Sequence, residues 1–362
     1  MRILHVYKDY HPIPGGIENH IKVLAEAQVR RGNTVTVLVT NPKRTTVEEI
    51  LNGVRVVKAG RLTAIASTPL SLELPRLLRA QQPDITHLHV PYPLGEVSQW
   101  LAGRGRPYII TYHADVTRPV QTAIMLLYGP LFRRILRGAA RVLVTSPNYA
   151  ASSPYLRGLT DQIRVVPLGV DPAQFAPAAR PAPHPPTLLF VGQMRHYKGV
   201  DDLLRAMLHL SAEMRLVLAG DGPKRAEWET LSQSLGLNER VSFLGKVPDA
   251  SLPGLYHAAD IFVLPANSRA EAFGTVLVEA MASGLPCVTT EVNSGTSFVV
   301  EDEVTGLVVP PRSPEALAGA LQRLLADPAR RSKMGAAGRE RVLRHFTLDT
   351  MLEGVAAAYR LG

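Results

Sequence analysis

Two doubly wound α/β domains, each a parallel sheet with helices on both faces, are predicted by three features of this sequence. Short apolar strands alternate with helical stretches, the pattern of βαβ units. The alternation runs twice, interrupted by one proline-rich stretch. And 362 residues exceed what one hydrophobic core organises, because single cores stop growing at about 250–300 residues.

In the first half the candidate strands are Ile3–Val6, Thr34–Val39, Val54–Val57, Ile85–His89, Tyr108–Thr111, Val142–Thr145 and Ile163–Val166. Helical patterns lie between most of them, notably Ile17–Arg31 and Val120–Arg137. The prolines between Asp171 and Pro186 rule out regular structure and mark a linker. The pattern then restarts with strands at Leu188–Val191, Arg215–Leu218, Val241–Phe243, Ile261–Leu264, Cys287–Thr289 and Gly306–Val309. Helices fit Val200–Leu210, Lys224–Leu235, Ser251–Ala258 and Thr275–Ser283. The tail from Pro314 to Leu361 is helical almost throughout, with a break near Phe346. The expected organisation is therefore a domain over 1–170, a linker over 171–186, a second domain over 187–345 and a final helix over 346–362. The two domains are expected to face each other across a cleft, with ligands at the carboxyl ends of strands.

Composition narrows the class. Hydrophobic residues make up 46%, as in a soluble globular chain. No apolar run approaches the roughly 18 residues of a membrane span. Met1–Val6 leads straight into a strand and reads as no signal peptide. A single cysteine, Cys287, makes no internal disulfide, which suits a reducing cytoplasm, and it reads as a buried structural thiol. Charge is uneven: residues 1–170 hold 21 Lys and Arg against 10 Asp and Glu, a net of +11, and residues 171–362 hold 19 against 21, a net of −2. The basic half points to an anionic partner or to a solvated arginine-rich surface.

The segment from Glu271 to Glu279 is the most informative. Glu271 sits in a loop, Phe273-Gly274 opens a helix, and Glu279 rides its second turn. Amides at a helix start form an anion site, and carboxylates on either side accept hydrogen bonds from hydroxyls. Together they suit both ends of a nucleotide diphosphate sugar. Glycine turns follow other strands at Pro14-Gly15-Gly16, Gly192–Gly199 and Gly220-Asp221-Gly222-Pro223, where backbone amides can approach phosphate closely. None has the dinucleotide or P-loop spacing, which argues against a nicotinamide enzyme and an ATPase. Arg195 and Lys198, just past a strand end, suit a diphosphate leaving group. His113 and Asp115 follow another strand end, a place for a catalytic or acceptor-orienting group. His87 and His89 share one strand face, but with no third ligand at a suitable spacing they do not read as a zinc site. From Arg118 to Arg141 a helical pattern sets Ile124, Leu126, Leu127, Leu131, Phe132, Ile135 and Leu136 against Arg133, Arg134, Arg137 and Arg141. The apolar face reads as core packing and the arginines as a surface for an anionic membrane.

Glu271 to Glu279, Gly192…Lys198-Gly199, Gly220–Pro223, Pro14–Gly16 and Pro167–Asp171 occur in an order that resembles the retaining GT-B glycosyltransferases of family 4, group 1. The likeness spans essentially the whole chain. It implies an N-terminal acceptor domain, a C-terminal nucleotide-sugar domain and a last helix crossing back to the first domain. By the same likeness Glu271 contacts the donor sugar, and Phe273, Gly274 and Thr275 offer backbone contacts to sugar and phosphate. Glu279 binds the ribose, Lys198 the diphosphate, and Val247 lies where the base is held. Gly15 and Gly16 close from the first domain, and His113 sits near sugar and acceptor. Two residues depart from the pattern. Gln193 stands where arginine is common, so Arg195 is expected to supply the charge, and Leu168 stands where asparagine is common.

The resemblance implies hexose transfer with retention, by front-face attack in which the departing phosphate takes the acceptor proton. No cofactor and no metal are expected; Lys198, Arg195 and the helix start stabilise the leaving group. Loss of Glu271 or Lys198 is expected to cut turnover by orders of magnitude with the fold intact. The segment around His113 and Asp115, with Thr145–Tyr149, resembles bacterial mannosyl- and rhamnosyltransferases of polysaccharide assembly. GDP-mannose is thus the first expected donor and a UDP-hexose the alternative. The expected acceptor is a sugar or a polyprenyl-diphosphate-linked glycan, and the expected location is the cytoplasm, at the inner face of the cell membrane. A basic nucleic-acid-binding protein is the competing class, but the chain lacks the aromatic platforms and recognition modules for one.

Overall fold

In a computed structural model of the chain, residues 1–13, 15–65, 68–103, 105–116, 119–177 and 185–361 are described, residues 119–122 by backbone alone. They form two compact units: Met1–Thr145, Ser153–Val166 and Leu352–Gly362 make the first, Ser146–Ser152 and Pro167–Met351 the second. Residues 146–152, 167–170 and 346–351 therefore group with the second unit, unlike the boundaries read from the sequence. The start of the supposed linker is also packed there. Phe175 is buried with its ring edge-on to Tyr256 at 5.7 Å, and His257 Nε2 donates to the Ala176 carbonyl at 2.8 Å. Pro14, Arg118 and residues 178–184 of the proline-rich stretch lie outside the described residues.

The first unit begins with β1 (Arg2–Val6), α1 (Gly16–Arg30), β2 (Thr34–Asn41), β3 (Val47–Leu51), β4 (Val54–Gly60), the small pair β5 (Thr63–Ile65) and β6 (Thr68–Leu70), and α2 (Leu74–Ala80). It continues through β7 (Ile85–Val90), α3 (Pro93–Ala102), β8 (Tyr108–Tyr112), α4 (Pro119–Gly138) and β9 (Arg141–Val144). After α5 (Pro147–Ser152), which counts with the second unit, β10 (Ile163–Val165) closes the sheet. Strand order is β10-β9-β8-β7-β1-β2-β4-β3, parallel except at the β3 edge. That edge hairpin is not in the sequence reading. Asn52 and Gly53 both take positive φ, 51° and 82°, the two-residue turn that joins β3 to β4. The order reverses between β1 and β7, so the carboxyl ends of β1, β7 and β8 form the crevice where such sheets take ligands.

The second unit carries β11 (Thr187–Val191), α6 (Val200–Ala206), β12 (Arg215–Ala219), α7 (Arg225–Ser234), β13 (Val241–Gly245), α8 (Leu252–His257) and β14 (Ile261–Leu264). It ends with α9 (Thr275–Ala282), β15 (Cys287–Thr290), α10 (Thr296–Val299), β16 (Gly306–Val309), α11 (Pro314–Ala326), α12 (Pro328–His345) and the first turn of α13 (Leu348–Tyr359). Its sheet is all parallel, in the order β13-β12-β11-β14-β15-β16. Ile261, Phe262, Val263 and Leu264 are all fully buried, because a central parallel strand is covered on both faces and needs no polar alternation. Each such side chain contributes about 1.5–3 kcal/mol by leaving water. The helical tail breaks twice. Besides the break before α13, Asp327 caps α12 by accepting from the Arg330 amide at 2.9 Å, with Pro328 at the first helical position. The thiol of Cys287 is buried, and burial pushes its pKa up.

Helix α4 corrects one reading. Met125, Phe132, Ile135 and Leu136 are buried, but Ile124, Leu126 and Leu127 are exposed, the two leucines by 80% and 89%. The apolar face is thus only half used by the core. Arg141 belongs to β9 and not to this helix.

Candidate active site

In the second unit the sheet order reverses between β11 and β14, and the segments leaving these two strands carry the candidate residues. After β11, Gly192 leads into Gln193 and Arg195, whose Nε donates to Gln193 Oε1 at 2.9 Å. Gln193 thus orients the arginine two residues on. A short 3₁₀ turn over His196–Lys198 follows and ends at Gly199, in left-handed conformation at φ 66°. The turn is locked from outside. Asn267, in the loop after β14, donates its backbone amide to the Tyr197 carbonyl and its side-chain amide to the His196 carbonyl, both at 2.9 Å.

This lock delivers Lys198 to Glu271. The Lys198 Nζ and Glu271 Oε2 atoms form a hydrogen-bonded ion pair, and both residues are buried, at 8% exposure each. Burial pushes the ammonium down, but Glu271, and after it Tyr197, hold it above its ordinary pKa. The ammonium stays charged. Ser294 Oγ donates to the Glu271 carbonyl at 2.6 Å, and the Gly295 amide donates to the Ala272 carbonyl at 2.8 Å, which pins the loop on its far side. Phe273 is buried with its ring edge-on to Phe346, centroids 6.0 Å apart, and anchors the entry to α9. Gly274 caps that helix at φ 83°, a value that disfavours residues with a Cβ. The Leu277 amide donates to the Gly274 carbonyl at 2.8 Å, while the amides of Thr275 and Val276 have no intrahelical acceptor and add the positive end of the helix dipole.

Glu279 lies one turn further, partly buried. Tyr256, fully buried, donates its hydroxyl to Glu279 Oε2 at 2.7 Å. Burial, reinforced by Asp249 and opposed by Tyr256 and Lys198, pushes the carboxyl up to about 7. Val247, just past Gly245 at the end of β13, is half-buried against the core. So the structure brings Arg195, Lys198, Glu271, Gly274, Thr275 and Glu279 onto the carboxyl edge of one sheet. Asn267, Tyr256 and Ser294 join them as positioning residues that the sequence reading does not contain.

A pH dependence follows from Glu279. Its raised pKa means the carboxylate, a good acceptor for hydroxyls, prevails only above about 7. Between pH 6 and pH 8 the ionised fraction rises about tenfold. The KM for a ribose-bearing donor is expected to fall by a similar factor over that range. In Glu279→Gln the profile is expected to be flat; initial-rate kinetics in buffers of constant ionic strength checks this.

In the first unit, Gly15 and Gly16 open α1, and a Cβ at Gly15 would run into the Glu18 carboxylate while Gly16 has open space around it. His113 follows β8. Its backbone amide donates to the Val90 carbonyl at 3.1 Å, and its Nε2 meets His89 Nδ1 at 3.0 Å. Burial, with help from His20, lowers its pKa far below the usual imidazole range. Asp115 Oδ1 accepts from Tyr112 at 2.6 Å and from Ser153 at 2.7 Å, so this carboxylate fastens the loop after β8. The premise that His87 and His89 lack a third ligand fails. His5 joins these two, and His20 and His113 join His89, each trio with nitrogens within 4.8 Å of one another. Elsewhere on this unit Arg133, Arg137, Arg157 and Tyr155 line a cavity of about 240 Å³. Among the described residues no carboxylate pairs with those three guanidinium groups.

Two Rossmann-like units of this kind define the GT-B class of glycosyltransferases. A sucrose-phosphate synthase from Thermosynechococcus elongatus superposes with a TM-score of 0.83 at 27% identity, covering 99% of this chain and 98% of that one. The Anabaena protein HepE, solved with UDP-glucose, gives 0.79 at 19% identity, covering 99% and 98%. Residues 174–341 match the family described as glycosyl transferases group 1, and residues 14–174 match glycosyltransferase family 4. The D-rhamnosyltransferase WbpZ of Pseudomonas aeruginosa is 35% identical, over 96% of this chain and 92% of its own. An O-antigen chain mannosyltransferase of Escherichia coli is 33% identical, over 99% and 98%. The chain belongs to this group 1, family 4 set of glycosyltransferases.

Proposed function

We propose that this enzyme transfers a hexose, with retention of anomeric configuration, from a nucleotide diphosphate sugar to a hydroxyl of a glycan acceptor. The buried Lys198–Glu271 pair beside the start of α9 is the observation that carries the reading. Lys198, Arg195 and the α9 amides stand where a diphosphate gains charge as it departs. Such preorganised stabilisation is worth about 10²–10³ in rate per group, and it takes the place of a divalent metal. Glu271, tied to Lys198, is a poor covalent nucleophile and orients sugar hydroxyls instead. The sugar C1–O bond to the diphosphate breaks while the acceptor oxygen bonds C1 on the same face. The acceptor proton passes to an oxygen of the leaving diphosphate. Glu279 takes the ribose, and Val247 lies beside the base.

GDP-mannose is the proposed donor, supported by the relatives named as mannosyl- and D-rhamnosyltransferases. The proposed acceptor is a growing O-antigen-type glycan on a lipid diphosphate, taken up by the first unit. A panel of nucleotide sugars, followed by release of the nucleotide diphosphate, tests this. GDP-mannose is expected to turn over fastest; turnover of UDP-hexoses alone would move the donor assignment, and turnover of none would remove it.

A lipid-borne acceptor calls for contact with the membrane, which we assign to α4, at the inner face of the cell membrane. No helix among the described residues is long and apolar enough to cross it. Exposed Ile124, Leu126 and Leu127 lie on the same helix as exposed Arg133, Arg134 and Arg137. Each arginine adds about 1 kcal/mol near an anionic surface, and each buried leucine about 1.5–3 kcal/mol. The protein is expected to sediment with phosphatidylglycerol liposomes at low salt. Replacing Leu126 and Leu127 by Asp, or raising salt to about 1 M where the Debye length is near 3 Å, is expected to release most of it.

A further inference from the structure

The first unit buries an unusual amount of imidazole. Strand register explains how. His5 on β1 pairs with His87 on β7, and His89 lies two residues further along β7. All three therefore project from one face of the sheet. His113 follows the neighbouring strand, and α1 covers the face with Gln28. Tyr359, near the end of α13, completes the set.

These groups form one continuous chain of hydrogen bonds. Gln28 Nε2 donates to the Tyr359 hydroxyl at 2.9 Å, and Gln28 Oε1 lies 2.7 Å from His5 Nε2. His5 Nδ1 lies 2.9 Å from His89 Nε2, and His89 Nδ1 lies 3.0 Å from His113 Nε2. On the other branch the Tyr359 hydroxyl lies 2.8 Å from His87 Nδ1, and His87 Nε2 lies 2.6 Å from Thr111 Oγ1. Burial lowers His5 to about 4, and His87, His89 and His113 well below the usual range, so all four rings are neutral at pH 7.

A neutral imidazole has one N–H and one lone pair, so each bond dictates the next. The Gln28 carbonyl oxygen can only accept, so His5 carries its proton on Nε2 and presents a bare Nδ1. His89 must then donate from Nε2, and its bare Nδ1 must accept from His113 Nε2–H. His113 is left with Nδ1 as a lone-pair acceptor. On the other branch Tyr359, having accepted from Gln28, donates to His87 Nδ1, and His87 donates to Thr111. No bond conflicts with another. Turning the Gln28 amide over would reverse the whole chain and make His113 Nδ1 a donor.

From this geometry we infer that Gln28, with its side-chain NH₂ donating to Tyr359, is a positioning residue for the transfer reaction: acting through His5 and His89, it fixes His113 as a hydrogen-bond acceptor at Nδ1. The role for His113 rests on the transferase reading: it accepts from a substrate hydroxyl. The tautomer itself does not depend on that reading.

The test is two-bond proton–nitrogen correlation NMR on ¹⁵N-histidine-labelled full-length protein without substrate, with His113 assigned through His113→Gln. In the wild type His113 is expected to show a protonated Nε2 and a pyridine-like Nδ1. Gln28→Met keeps the packing but removes the amide, and Tyr359→Phe keeps the ring but frees the amide; both are expected to mix the His113 tautomers. Turnover of Gln28→Met is expected to fall about tenfold, the worth of one substrate hydrogen bond, with the KM for donor little changed. A protonated Nδ1 in the wild type, or a His113 signature that ignores both Gln28→Met and Tyr359→Phe, would overturn the inference. So would one equivalent of zinc in the purified protein, because His89 Nδ1 and His113 Nε2 would then be ligands and not partners of each other.

Discussion

Replacing Lys198 by Met or Glu271 by Gln is expected to lower turnover by about 10³ and to destabilise the second unit by roughly 3 kcal/mol. The rate effect follows from position. Lys198 is the buried cation beside the α9 start, and Glu271 is its carboxylate partner in the loop that leads there. The stability effect follows from burial. Each charge is shielded from water, so removing one leaves the other without compensation, and the fold does not come through untouched as the sequence alone suggests. The two effects part company in the double variant. With Lys198→Met and Glu271→Gln together, no buried charge is left unpaired, and most of the lost stability is expected to return. Turnover is expected to stay at or below that of the worse single variant. Urea unfolding midpoints and kcat for the four proteins measure both. Near-normal turnover in either single variant would sink the assignment of the pair.

Gly220→Ala is expected to destabilise the second unit by about 4 kcal/mol, from backbone strain and overpacking together. Gly220 sits at φ 134° after β12, with its amide donating to the Gly245 carbonyl at 2.8 Å. A Cβ there would run into the carbonyl of Gly192. The obstacle is backbone, so no side chain can swing aside. Gly192 itself leads from β11 into the turn that carries Arg195 and Lys198, so relief of the clash would also displace those cations. For a unit of this size the unfolding midpoint is expected to drop by roughly 10 °C. Gly16→Ala serves as the comparison, because nothing lies within 4 Å of the position its Cβ would take. Thermal melts of the two variants would contradict the argument if they coincided.

The candidate donor-site residues were legible as a group because they are local. Glu271 to Glu279 is a single loop and helix start, and Arg195 and Lys198 share one turn with Gly199. Their positioning residues were not legible, because Asn267, Tyr256 and Ser294 act across strands or from another helix. The histidine chain is the clearest case. His5, Gln28, His89, His113 and Tyr359 meet through parallel-strand register and helix packing, and spacing along the chain carries no trace of it. A search for a third ligand near His87 and His89 in sequence therefore finds none. Most buried strands were legible from their apolar runs, to within a few residues. The β3–β4 hairpin escaped although Asn52-Gly53 signals it, because Val47–Leu51 is mostly exposed and offers no apolar run. The exposed Ile124, Leu126 and Leu127 on α4 escaped for the opposite reason: an apolar stripe looks the same whether a core or a membrane covers it.

The central claim is that the second unit binds a nucleotide diphosphate sugar and that Lys198, held in place by Glu271, drives loss of its diphosphate. The most direct measurement is an NMR time course with GDP-mannose, a lipid-linked glycan acceptor and EDTA, for the wild type and for Lys198→Met. The account predicts one GDP released per sugar transferred, a product with the donor's α configuration, and a rate about 10³ lower in the variant. An inverted product, or equal rates for the two proteins, would contradict it.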